Sequence, residues 1–333
     1  MDKKKQHLLG LVDKFSGTKI AVWGDFILDE YVYGKTRRIS REAPVLILTY
    51  QKKEFSLGGA GNSALNLKAL GANPVPIGVI GQDDSGEIII DILRSLKIPT
   101  KGLLRLKEYP TPIKTRILAG EENTRKQQIL RIDSEFKIPE NGRIKESLRR
   151  CLEEAQEKCS ALLISDYNYL TVKGDVFNDL AADFRKVKRP VTVDSRFRLL
   201  EFPGATVATP NEPEVENALK MEIGESIPLL KRAGNTLRKK LRLPALLITR
   251  GSRGMALFEK GKPPFLIPVH GTTDIVDVTG AGDTVISTFT LALASGANFQ
   301  EAAQLANYAG GVVVMKKGTA TLTAEELKEA ISC

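Results

Sequence analysis

Cysteine and histidine are nearly missing from this 333-residue sequence, with three of the first and two of the second. His7 and His270 are too few for a histidine-based metal centre, and they make Ser-His-Asp chemistry a poor expectation. Cys151, Cys159 and Cys333 are odd in number and scattered, so no disulfide framework or thiolate cluster follows, and a reducing compartment fits. No run of about 18 apolar residues occurs, so no membrane-spanning helix is expected. Met1-Asp2-Lys3-Lys4-Lys5-Gln6-His7 is charged and lacks the apolar core of a signal peptide; the expectation is a cytoplasmic protein without a membrane partner. Aromatic residues are 6% of the chain and do not interleave with basic clusters such as Arg238-Lys239-Lys240. The net charge of +9 therefore reads as a solvated surface, with phosphorylated substrates next in line and nucleic acid set aside.

What the chain does have is glycine at two helix starts. Asp277-Val278-Thr279-Gly280-Ala281-Gly282-Asp283-Thr284 precedes the almost wholly apolar residues 285–294, which read as a buried helix. The first N–H groups of a helix have no intrahelical partner and, with the helix dipole, attract an anion. Gly280, Ala281 and Gly282 let that anion approach the backbone. Asp283 then sets a carboxylate beside the anion hole, either as a base for a hydroxyl attacking phosphorus or as a plain helix cap. The second start is Leu57-Gly58-Gly59-Ala60-Gly61-Asn62-Ser63-Ala64, opening a helix that Gly71 ends. A Walker P-loop is absent: Gly34-Lys35-Thr36 has Asp29 where that loop needs glycine.

Strands at 19–23, 74–80, 161–165, 190–193, 206–208 and 245–249 alternate with helices, which predicts a mostly parallel sheet covered on both faces. Asp25, Asp166, Asp194 and Asn211 fall at strand C-termini, so polar side chains converge on one crevice. Two basic stretches rich in β-formers, about 31–56 and 108–133, read as an excursion from that sheet. Asn211 and Glu214 follow Pro210 and are consistent with a helix cap or with an oxygen-ligand pair.

Both glycine-rich starts, in this order and at this separation, resemble the two signatures of the PfkB/ribokinase family of small-molecule kinases, over roughly residues 15–330. The resemblance implies a ribokinase-like three-layer αβα sandwich with a mostly parallel central sheet and a small β-strand lid, in one kinase domain. It implies ATP as phosphoryl donor and Mg2+ as the accompanying ion. By it, Asp283 is the general base, and the backbone of Gly280, Ala281 and Gly282 is the anion hole. Asn211 and Glu214 organise the Mg2+ through water. Asn211, Thr249, Gly251, Gly254 and Asn307 lie along the nucleotide, and Asp25, Gly59 and Asn62 contact sugar hydroxyls.

Within the family, Gly24-Asp25-Phe26-Ile27-Leu28-Asp29-Glu30-Tyr31, Arg38-Ile39-Ser40-Arg41-Glu42-Ala43-Pro44-Val45 and Gln127-Gln128-Ile129-Leu130-Arg131-Ile132-Asp133 are similar to the kinases of D-glycero-D-manno-heptose 7-phosphate. These phosphorylate the C1 hydroxyl on the way to ADP-heptose. Arg125, Lys126 and Arg131 are then candidates for the 7-phosphate. Two lysines of that branch are missing, at Asp166-Tyr167-Asn168-Tyr169-Leu170 and at Asp194-Ser195-Arg196, where Arg196 could stand in for one charge. The His-x-Gly-His motif of the bifunctional relatives does not occur, so the expectation is that a separate protein performs any second step. The competing readings are a kinase for another sugar or sugar phosphate, and a non-catalytic sugar- or nucleotide-binding protein of the same fold. The edge at residues 45–50 is a pairing template, and lids of this family often pair subunits, so a homodimer is expected.

Overall fold

The computed structural model describes residues 2–121, 126–271 and 276–333. In chain order the elements are helix α1 (Lys3–Val12), strands β1 (Lys19–Gly24), β2 (Phe26–Ile39) and β3 (Leu46–Gly59), helix α2 (Ala60–Ala69), β4 (Asn73–Gly81), α3 (Asp84–Ser95), β5 (Leu103–Leu106), β6 (Ile113–Gly120) and β7 (Gln127–Ser134). There follow α4 (Gly142–Lys158), β8 (Ala161–Asp166), α5 (Gly174–Lys186), β9 (Val191–Ser195), β10 (Val207–Ala208), α6 (Glu212–Leu219), α7 (Ile227–Lys240), β11 (Ala245–Thr249), β12 (Met255–Glu259), β13 (Phe265–Ile267), α8 (Ala281–Ala294), α9 (Phe299–Val313) and α10 (Ala324–Ser332).

Among the described residues, nine strands form one sheet in the order β13-β12-β11-β10-β9-β8-β1-β4-β5. It is parallel from β11 through β5, and the hairpin β12–β13 adds an antiparallel edge. Its strands are apolar on both sides because both sides are covered. In β1, Ile20 and Val22 enter one core and Ala21 and Trp23 the other. β8 divides Ala161 and Leu163 from Leu162 and Ile164 in the same way. Helices α1, α2, α3, α8, α9 and α10 contribute to the first core, and α4, α5, α6 and α7 to the second.

A second, four-stranded sheet, β3-β2-β6-β7, stands over the C-terminal edge of the first. It corresponds to the expected excursion, but β2 starts at Phe26 and β3 runs to Gly59, so this lid grows directly from the end of β1. α8 begins at Ala281, four residues ahead of the apolar run that marks it in the sequence. Neither β5 nor the helical character of α1 is evident from the sequence pattern.

Candidate active site

The parallel strands β1, β8, β9 and β11 deliver their last residues to one edge, where α8 points its N-terminus. Gly280 caps α8 with φ of +78°, and a Cβ there would sit 2.5 Å from the Asn62 amide nitrogen; only glycine fits. The N–H of Ala281 bonds the Val278 carbonyl at 3.2 Å, and the first i to i+4 bond runs from Thr284 N–H to Gly280 at 3.1 Å. The backbone N–H groups left without a partner at this start are thus those of Gly282 and Asp283, with Ala281 already engaged. Asp277 accepts from Thr279 N–H and Gly318 N–H, each at 2.9 Å, and so ties this loop to the segment after α9.

Asp283 lies in the first turn of α8 and is 3% exposed. Asn62 Nδ2 donates to one carboxylate oxygen at 2.8 Å, and the Tyr167 hydroxyl approaches the other at 3.5 Å. Burial pushes the Asp283 carboxyl up to about 8; the Asn62 bond opposes this, and the charges of Asp194 and Asp29 add to it. Asn66 in turn donates to Asn62 Oδ1 at 3.2 Å and accepts from Thr284 Oγ1 at 2.8 Å, which locks α2 to α8. Asn62 therefore orients Asp283 and is not turned toward a sugar.

Asp25 is a second departure from the expectation. It is 1% exposed, and its carboxylate accepts from the N–H groups of Tyr167, Tyr169 and Thr171 at 2.8, 3.1 and 3.2 Å. With its oxygens taken by a loop, it anchors that loop and does not line the crevice. Asn168 and Leu170 in the same loop have φ of +68° and +70°, an uncommon conformation for side-chain-bearing residues that these bonds help hold. The loop places Tyr167 against Asp283.

The acidic residue that does face the crevice is Asp29, on β2. The crevice, about 410 Å³, lies between lid and core. Gly58 and Gly59 form one side; Gly59 has φ of +57°, and a Cβ there would lie 2.5 Å from the Asp25 carbonyl oxygen. Four cations line it: Lys114 and Arg116 from β6, Arg131 from β7, and Arg196 just after β9. Arg116 Nη1 donates to Asp29 at 2.6 Å, and Arg131 pairs with Asp133 at 2.8 Å. Lys114 is 6% exposed and sits 5.0 Å from the centre of the Tyr167 ring. Burial, then repulsion by Arg196, holds its ammonium pKa below the usual lysine value. Lys126 is turned away: its amine donates to the Gly120, Glu121 and Gly34 carbonyls at 3.0, 3.3 and 3.5 Å. Arg125 lies outside the described residues.

On the other side of the α8 N-terminus, Thr249, Gly251, Gly254 and Asn307 line one mostly apolar cleft with Ala281 and Gly282. Asn307 Nδ2 donates to the Pro268 carbonyl at 2.9 Å, leaving Oδ1 as its remaining polar atom. Glu212 grips Arg250 at 2.8 Å and also Arg253, which fixes the turn at 250–253. Asn211 and Glu214 close a reciprocal capping box, with both bonds at 2.9 Å. The Asn211 carbonyl oxygen is thereby taken up in the cap. Glu214 keeps an oxygen free of that cap, and Asp194 is close enough to raise its pKa. Both carboxyls are pushed up, by burial first; Asp194 then acts on Glu214, and Asp166 on Asp194. Asp194 Oδ2 lies 3.9 Å from where a Cβ on Gly282 would stand, so this pair adjoins the N-terminus of α8.

A model described as the pfkB family carbohydrate kinase matches residues 17–326. The chain is 37% identical over 318 residues to the bifunctional protein HldE of Desulfatibacillum aliphaticivorans, and 39% over 319 residues to that of Haemophilus influenzae strain PittEE. These matches take in 95% and 96% of this chain and 64% of each relative, so the chain spans less than two thirds of their length. In fold it is similar to Arabidopsis thaliana ribokinase complexed with ribose and ATP, at a TM-score of 0.71 and 19% identity, over 96% of this chain and 99% of that one. Escherichia coli phosphofructokinase-2 in complex with fructose-6-phosphate gives 0.73 and 16%, over 95% and 98%. The chain belongs to the pfkB family of carbohydrate kinases, on a ribokinase-like fold. It is thus a sugar kinase, a phosphotransferase with an alcohol group as acceptor. Among the described residues no helix is long and apolar enough to cross a membrane.

Proposed function

We propose that this chain is an ATP-dependent kinase of a sugar phosphate, D-glycero-D-manno-heptose 7-phosphate, giving the 1,7-bisphosphate. The observation that carries the reading is the four-cation crevice on the acceptor side of Asp283. Asp29 and Asp133 pair with Arg116 and Arg131, which leaves Lys114 and Arg196 without a salt bridge among the described residues; an unphosphorylated sugar does not need them, and a phosphate dianion at the far end of the acceptor matches them. The likeness of residues 24–31, 38–45 and 127–133 to the heptose kinases supports the particular sugar.

In this reading Asp29, steadied by Arg116, accepts sugar hydroxyls and sets the C1 hydroxyl against Asp283. Asp283 takes the proton of that hydroxyl as the hydroxyl oxygen attacks the terminal phosphorus of ATP, and the bond from that phosphorus to the bridging oxygen breaks to release ADP. The N–H groups of Gly282 and Asp283 hold the transferring group, whose charge is spread over its outer oxygens. Asn62 and Tyr167 keep the carboxylate in line. The nucleotide lies in the cleft of Thr249, Gly251, Gly254 and Asn307, its phosphates toward α8. Two half-buried carboxylates close together beside the α8 N-terminus fit a hard, oxygen-binding cation, so Asp194 and Glu214 would hold Mg2+, partly through water. When bound, Mg2+ would neutralise phosphate charge. Residues 1–333 act as one kinase domain with the two lid excursions, in the cytoplasm.

The lid's exposed apolar residues, Leu46, Tyr50, Leu130 and Ile132 among them, are proposed to pair with those of a second copy. The substrate claim is tested by following ADP release, with product NMR, over heptose 7-phosphate, fructose 6-phosphate, ribose and free heptose. Turnover favouring heptose 7-phosphate, with the new phosphate on C1, supports it. Preference for another acceptor removes the sugar and keeps the kinase, and ligand binding without ADP release would favour a binding protein.

A further inference from the structure

A second cavity, about 370 Å³, lies where nothing in the kinase reading needs one. It opens near the N-terminal ends of β1 and β4, between α4 and the chain that leads from α3 to β5. The crevice around Asp283 is at the opposite, C-terminal edge of the sheet. Five lysines surround the cavity: Lys19, Lys68, Lys97, Lys101 and Lys158. Glu154 is the one carboxylate lining it, 3.8 Å from Lys101 and 3.7 Å from Lys158. Four positive charges are left uncompensated. The side-chain amines of Lys19, Lys68 and Lys97 have no hydrogen bond or ion pair among the described residues.

Lys68 is half-buried, and Lys19, Lys97, Lys101 and Lys158 are exposed, so most of these amines are solvated. They ring a concavity with an apolar floor, formed by Pro74, Val75, Pro76, Ile77 and Ala155. The prolines stiffen that floor by fixing its backbone. Like charges around a low-dielectric hollow focus their field into it and concentrate small anions there. The volume falls in the range of small-molecule sites. We propose that this cavity binds a phosphorylated small molecule, its phosphate groups on the lysine amines and its uncharged body on the proline-lined floor. Phosphate fits the compact, multiply directed ammonium donors, whereas a planar carboxylate would favour the arginine fork that this rim lacks.

Two of the three cysteines, Cys151 and Cys159, line the same cavity, and Cys151 is half-buried, which supplies a probe independent of catalysis. In a Cys333→Ser background, alkylation of Cys151 by iodoacetamide is followed by mass spectrometry with inorganic pyrophosphate as the anion and no divalent ion. The anion covers the thiol and withdraws the lysine charge near it, so the rate falls about tenfold and saturably. Sodium chloride at equal ionic strength leaves the rate unchanged. Lys68→Gln with Lys97→Gln removes the protection and keeps sugar-kinase turnover, and Lys19→Gln repeats the comparison independently. Protection that does not saturate, that chloride reproduces, or that survives these substitutions overturns the proposal. The readout stands whether or not heptose 7-phosphate is the acceptor.

Discussion

Asp283 holds a carboxyl that burial and neighbouring carboxylates push up to about 8, yet the base proposed for the transfer must be ionised. In the free enzyme the protonated, inactive form therefore dominates below that pH. kcat/KM is expected to rise about tenfold per pH unit from pH 6 toward 8 and then level off. Mg2+ is kept saturating, because protons on Asp194 and Glu214 would otherwise compete with it. Asn62 donates to the ionised form, so Asn62→Ala shifts the limb to higher pH, by about one unit. Asp283→Asn lowers turnover by about two to four orders of magnitude and abolishes the limb. A rate flat from pH 6 to 9, or the same limb in Asn62→Ala, would show that Asp283 is not the titrating base.

At the scale of elements, the site depends on what each strand end holds. Asp25, just after β1, accepts from three backbone N–H groups and fixes the 167–171 loop. Removing it leaves buried donors unpaired, so Asp25→Ala is expected to destabilise the fold by about 3 kcal/mol in chemical denaturation. The displaced Tyr167 lowers kcat with it; a neutral effect on both would return Asp25 to the solvent. The sequence makes this strand legible but not the task of the residue that follows it. Read from residue 31, the lid strand has no phase that distinguishes Asp25 from Asp29. Once β2 is seen to start at Phe26, alternation places Ile27 and Asp29 on the crevice side. The α8 start and the place of Asp283 in its first turn were readable, because glycine and an apolar run bracket them. The fate of Lys126 was not, because a long side chain can reach backbone carbonyls that no local pattern reveals. Lys114, Arg116 and Arg196 carry only the weak signal of basic residues at strand ends and within a basic lid strand.

For the whole molecule, the alternation of strand and helix sufficed for the parallel sheet, while the small β5 and the lid's orientation required tertiary contacts. The lid leaves Ile39, Tyr50, Leu130 and Ile132 at 65, 63, 51 and 50% exposure, an apolar face suited to a second copy. Light scattering is expected to give the dimer mass, and Leu130→Asp with Ile132→Asp the monomer mass. A monomeric wild-type protein would contradict that pairing.

The central claim is that the acceptor is a phosphorylated sugar whose phosphate rests on the lid-and-core cations while its hydroxyl meets Asp283. It is tested most directly by comparing kcat/KM for heptose 7-phosphate and for free heptose in the wild-type protein and in Lys114→Gln with Arg196→Gln. Two charge-assisted contacts make the wild-type preference for the phosphorylated sugar about three orders of magnitude, and the double variant loses most of it through KM. Equal kcat/KM for the two sugars, or a preference unaffected by removing both cations, would contradict the account.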